Sequence, residues 1–143
     1  ELMPVHGVAV ASPAYLEGRG VPATPADLAA FDAIVMRSPQ SGRVKPWQMR
    51  NRRGDTMPAD LRARVVLNDP DGICGAALMG MGVALLATTD LESHLETGAL
   101  RRVLPDWYVD IGVISLYFTS QKLMPAKTRA FVDFMTAAFR ERR

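Results

Sequence analysis

Short apolar runs alternate along the chain with polar breaks marked by Gly, Pro, Ser or Asp. His6 to Ala11 reads as a short apolar strand. Ser12 then caps a brief helix, Ala14-Tyr15-Leu16, with Pro13 at its first position, before Gly18 and Gly20. Thr24-Pro25-Ala26-Asp27 has the form of a capping box, in which the Thr oxygen and the Asp carboxylate each satisfy an orphan N–H. Ala33-Ile34-Val35-Met36 has the length and branching of a buried strand. From Arg37 to Pro46 the composition shifts to loop residues. Trp47 to Asn51, the turn Arg52-Arg53-Gly54-Asp55 and a short return predict a β-hairpin whose glycine supplies positive φ.

The strongest local pattern follows. Ala63 to Leu67 reads as a strand that feeds a helix capped by Asp69 and started by Pro70, which has no N–H to leave unpaired. Ala76, Ala77 and Met79 continue that helix and Gly80 ends it, ahead of a buried strand over Val83–Leu86. Asp90 is placed to cap a short helix through Leu95, stopped near Gly98. Ile111 to Thr119 has the β-branched and aromatic content of a strand. A final helix from about Pro125 to Arg140 carries Phe131, Phe134, Met135, Ala138 and Phe139 on one stripe. This alternation predicts an α/β fold with a mixed, mainly parallel sheet flanked by helices.

Composition adds few constraints. The chain has 143 residues, 48% of them hydrophobic and 22% charged, enough for one domain with a core. No apolar run reaches the roughly 20 residues that cross a bilayer. The lone Cys74 falls inside the helix after Asp69, where it reads as a small buried apolar residue, and it fits a reducing setting. Net charge is only +2. Arg50, Arg52 and Arg53 surround the hairpin turn, and Arg140, Arg142 and Arg143 suit a helix C-terminus. Neither group is interleaved with stacking aromatics, so neither forms a nucleic-acid module.

Catalysis finds no constellation. The two histidines, His6 and His94, have no partners at metal-ligand spacing; His94 lies between Glu92 and Glu96 on a surface helix. Ser12 and Ser38 have no adjacent His, and capping accounts for Asp69 and Asp71 without acid–base work. The expectation is no catalytic residue, no metal and no cofactor. Binding fares better. The helix opened by Asp69-Pro70-Asp71 directly follows a strand, so its N-terminus faces the crevice at the strand's carboxyl end. Arg37, Ser38 and Ser41 follow another strand at a comparable level. With two carboxylates already there, a ligand on this side donates hydrogen bonds or is cationic unless Arg37 balances them; alternatively Arg37 simply pairs with Asp69.

Five segments carry a resemblance that covers nearly the whole chain. Ala11-Ser12-Pro13-Ala14-Tyr15-Leu16 resembles the "ASPAYL" segment of the effector-binding domain of LysR-type transcriptional regulators. Pro25-Ala26-Asp27-Leu28 resembles its "P-x-DL" helix, and Trp47-Gln48-Met49 with Gly54 its "W-x-F … G" hairpin. Gly98-Ala99-Leu100-Arg101-Arg102-Val103-Leu104 is similar to its "G-x-L-x-x-L/V-L" segment. Leu123-Met124-Pro125-Ala126-Lys127-Thr128-Arg129-Ala130-Phe131-Val132-Asp133-Phe134 closely resembles its closing helix. Each motif is weak alone; the specificity lies in their order.

The resemblance implies one lobe of a type 2 periplasmic-binding-protein-like two-lobed domain. Residues 1–143 are then a partial effector-binding domain, with 11–110 as the second regulatory lobe and 111–143 as a hinge strand and closing helix belonging to the first. The winged helix-turn-helix and most of the first lobe are absent, as in a C-terminal fragment. It further implies a small-molecule effector in the interlobe cleft, met by the loop before the helix (Asn68, Asp69, Pro70), the end of the next strand (Leu86, Ala87) and the loop after the earlier one (Arg37, Ser38). The Gly80–Gly82 turn is structural. A homo-oligomer, a cytoplasmic location, contact with DNA only through the missing N-terminal domain and no membrane partner complete the expectation. Without the first lobe, the closing helix predicts self-association, exchange between chains or disorder, unless it folds back on the second lobe's sheet. The rivals are a fragment of a periplasmic-type solute-binding protein and a small enzyme on an α/β scaffold.

Overall fold

A computed structural model describes residues 1–118 and 124–141. The order of elements is β1 (Met3–Ala11), α1 (Pro13–Leu16), a 3-10 helix (Pro25–Ala30), β2 (Asp32–Met36), β3 (Gln48–Asn51), β4 (Thr56–Pro58), β5 (Arg62–Leu67), α2 (Pro70–Leu78), β6 (Val83–Ala87), α3 (Thr88–Thr97), β7 (Arg101–Arg102), β8 (Trp107–Ile114) and α4 (Ala126–Glu141). The sheet runs β4-β3-β8-β1-β6-β2-β5, with β7 also on β1. It is mixed, as the pattern predicts, but not mainly parallel: β1 enters beside β6 from the opposite direction and the β3–β4 hairpin joins β8, so antiparallel pairs outnumber parallel ones among the described pairings. Its parallel part is β5-β2-β6, while β1 runs antiparallel to β6 and β7, and β3 antiparallel to β4 and β8.

The chain forms two compact units, His6–Asp110 on one hand and Glu1–Val5 with Ile111–Arg143 on the other. In the first, the period-2 alternation of a strand sorts side chains onto two sheet faces. Ala9, Ala11, Ala33 and Val35 point into a core shared with Tyr15, Leu28, Phe31, Trp47, Met49 and Trp107. Their neighbours Val8, Val10, Ile34, Ala84 and Leu86 point the other way, against Ile73, Ala76 and Ala77 of α2, Leu91 of α3, and Leu100. These strands read as continuous apolar runs because both faces are covered.

The caps form as the sequence predicts. Asp69 accepts the Gly72 N–H at 2.8 Å, with Pro70 first in α2. At the other end Gly80 has φ +77°, and the N–H groups of Gly80 and Met81 donate to the carbonyls of Ala77 and Ala76 at 3.0 and 3.1 Å. That pair of bonds is a Schellman stop. Ser12 accepts the Tyr15 N–H at 3.2 Å, and Asp27 accepts those of Thr24 and Ala23 at 2.9 and 3.0 Å.

Several boundaries differ, among them β1, which starts at Met3 rather than His6. α3 starts at Thr88 with Ala87 in the cap position, so Asp90 sits in the first turn, near the helix's positive end, rather than capping it. β6 therefore passes straight into α3. β8 begins at Trp107 and ends at Ile114, because Asn51 and Arg50 of β3 pair with Trp107 and Tyr108 and draw the strand toward its N-terminus. The end of the predicted strand at Thr119 lies outside the described residues, as do Leu123, Arg142 and Arg143. α4 spans nearly the predicted range and none of its residues is buried; Phe131 and Phe134 are 53% and 68% exposed.

Candidate functional site

The parallel strands β5, β2 and β6 end on one edge of the sheet, and the residues singled out from the sequence lie there. Arg37 and Ser38 follow β2, Asn68, Asp69 and Pro70 follow β5, and Leu86 and Ala87 close β6. The Arg37 backbone N–H donates to the Leu67 carbonyl at 2.7 Å, continuing the β2–β5 ladder by one step and fixing the two loops side by side. Beyond it the chain turns tightly. Ser38 N–H donates to Arg43 O at 2.8 Å, Gly42 N–H to Ser38 O at 2.8 Å, and Arg37 bridges to Val44. The predicted loop is thus a compact turn anchored to the strand end.

Side chains at this edge differ in what they can offer. Arg37, Asn68, Asp69 and Pro70 are exposed, and Ser38 and Ala87 are half-buried. Leu86 is only 3% exposed and packs in the core with Ile34 and Leu91, so at the edge it contributes shape from below rather than a contact surface. Arg37 does not pair with Asp69. Among the described residues the ion pairs are Arg50 with Asp110, and Arg62 and Arg64 with Asp32. The guanidinium of Arg37 is therefore available to an anionic group, while the Asp69 carboxylate is engaged by its own helix. The remaining donors of the α2 N-terminus favour negative charge as well.

Cys74 lies half-buried in α2, its thiol pushed up by burial and by the carboxylates of Asp71 and Asp90. That is the environment of an inert thiol. His6 stacks on Tyr108, with ring centres 4.3 Å apart. Among the described residues no group of His, Cys, Asp and Glu could hold a metal.

A second polar cluster escaped the sequence reading. Asp32, at the start of β2, is 9% exposed and accepts from Arg62 at 2.8 Å, with Arg64 at 3.8 Å. The Asp32 N–H donates to the Tyr15 hydroxyl at 2.7 Å, and Arg19 stacks 4.4 Å over the Tyr15 ring. The signal was present as an Asp before one apolar strand and an Arg-x-Arg before another. Only the register Asp32↔Arg62 joins them.

A mixed sheet with helices on both faces and loops gathered at the carboxyl ends of its parallel strands is a ligand-binding lobe of the periplasmic-binding-protein-like class. The sequence model of the LysR substrate binding domain matches residues 1–140, and the chain belongs to that family. An uncharacterised HTH-type transcriptional regulator of Escherichia coli, YcaN, is 30% identical over 132 residues, which are 92% of this chain and 42% of the regulator. The regulatory domain of AphB from Vibrio vulnificus superposes with a TM-score of 0.81 at 25% identity, covering 96% of this chain and 67% of that one. Full-length AphB of Vibrio cholerae, a virulence activator of the same family, gives 0.73 at 25% identity, with 97% and 46% covered. The chain thus spans less than half the length of a whole regulator of this kind.

Proposed function

We propose that this chain is the effector-sensing part of a LysR-type transcriptional regulator, with His6–Asp110 as the second regulatory lobe and the segments 1–5 and 111–143 belonging with the first. The effector meets the lobe at the edge formed by Arg37, Ser38, Asn68, Asp69, Pro70 and Ala87, over the side chain of Leu86. The carrying observation is the Arg37-to-Leu67 backbone bond, which sets two polar loops side by side, with the exposed Arg37 guanidinium in none of the ion pairs among the described residues. An anionic or hydrogen-bonding metabolite fits that edge better than a cation. The whole protein would act as a cytoplasmic homo-oligomer and reach DNA through an N-terminal domain; it has no catalytic role, needs no cofactor and uses no membrane. Effector binding would shift the balance between two oligomer arrangements by as much as its affinities for them differ. A transport-type solute receptor is disfavoured by the relatives, which are transcriptional regulators.

The test is a thermal-shift screen of this chain against small organic acids, aromatic acids and amino acids. At least one class should raise the unfolding midpoint, and Arg37→Ala with Asn68→Ala should abolish the rise. A rise that survives both substitutions would move the site elsewhere.

A further inference from the structure

The opposite edge of the same three strands carries a built, positively charged cavity. It holds about 470 Å³ and is bounded by Asp32, Arg62 and Arg64 at the starts of β2 and β5, by Tyr15 and Arg19, and by the turn at Gly80. Three arginines and one carboxylate line it, and that carboxylate already accepts from Arg62 at 2.8 Å. No other carboxylate lines the cavity, which leaves two positive charges in excess.

The arrangement is held from three directions. Tyr15 is buried and tied through its hydroxyl to the backbone of β2, so Arg19, stacked on its ring, stands on a fixed platform. Arg62 is oriented by Asp32. Arg64 is set by a β-bulge: the register passes from Ala33↔Ala63 to Ile34↔Val65, leaving Arg64 without an opposite residue. Bulges of this kind re-aim a side chain at the edge of a sheet. Arg64 stays 3.8 Å from Asp32, too long for a hydrogen bond, and its side chain is 71% exposed.

We propose that this cavity is a second ligand site, taking a small dianionic oxyanion of the phosphate type, either free phosphate or the phosphate of a small monoester. Two excess charges match a dianion. Guanidinium forks approaching from separate walls suit the distributed oxygens of a tetrahedral anion, and Arg is the side chain that recognises phosphate through paired donors. The site lies at the strand end remote from Arg37 and Asn68, so it is independent of the effector reading. An anion bridging Arg19 to Arg64 would tie the segment after α1 to the edge strand β5.

The experiment titrates this chain with inorganic phosphate and, separately, with glycerol 3-phosphate, at constant ionic strength maintained by chloride, and follows the unfolding midpoint and the amide resonances of Gly80 and Met81. Saturable binding is expected, weakened at least about tenfold by Arg64→Gln and by Arg19→Gln. The tighter of the two anions identifies the source. Neither substitution removes the Asp32–Arg62 pair, so both variants should fold. Absence of saturation with either anion, binding unchanged in both variants, or binding lost in Arg37→Ala instead would overturn the proposal.

Discussion

Gly82 shows how one position can hold a sheet edge in place. It has φ +150°, and a Cβ there would lie 2.5 Å from the Asp32 carbonyl oxygen. Because backbone rather than a flexible side chain stands in the way, Gly82→Ala should cost about 2–4 kcal/mol, read as a lower denaturant midpoint with an unchanged slope. A loss under about 0.5 kcal/mol would mean that β2 and β6 can part without penalty. Asp27 gives a pH signature. The N–H groups of Thr24 and Ala23 hold its carboxyl below the usual carboxylate range. A depressed value means that its contribution is present above the unfolded value near 3.8 and is lost as pH falls through the folded one. Amide exchange at Thr24 and Ala23 should therefore be slow at pH 5 and quicken, relative to intrinsic rates, only as the pH falls below about 4. At this scale the sequence was most legible where the chemistry is local: Ser12, Asp27, Asp69 and Gly80 act on residues within a few positions. The Asp32–Arg62 pair spans thirty positions and was not.

Elements were legible in type and less so at their ends. β2 and β6 are buried on both faces and read as unbroken apolar runs, which fixes them as interior strands. α3 shows the limit of cap reading. Asp90 is a good cap residue, but β6 stays extended through Ala87 and the chain turns into the helix at once from Thr88, so the helix begins before the signal. β8 shows another: Trp107 and Tyr108 become strand residues because β3 is there to pair with them, and nothing adjacent in sequence announces β3. The apolar stripe of α4 was visible from its spacing, and its residues are unburied. Phe134, 68% exposed, sits in the middle of that stripe. Light scattering should show this chain self-associating, and Phe134→Asp should lower the mass toward that of a monomer without changing helix content. An unchanged mass distribution in the variant would show that the stripe takes no part in association.

At the scale of the whole molecule, one sheet has two chemically distinct ends. β5, β2 and β6 run in the same direction, so their ends gather Arg37, Ser38, Asn68, Asp69, Pro70 and Ala87, and their starts gather Asp32, Arg62 and Arg64. The family was legible from five ordered motifs because those motifs mark caps, turns and strand starts that the fold needs. The candidate site was legible only as positions. That Arg37 stands free of Asp69 and that Leu86 is covered depend on packing that no spacing reveals. The most direct test of the central claim is backbone NMR of this chain, titrated with the ligand that most raises its unfolding midpoint. Shift changes should cluster at Arg37, Ser38, Asn68, Asp69 and Ala87. Changes confined to other surfaces, with those five amides unmoved, would contradict the assignment of the effector to this edge.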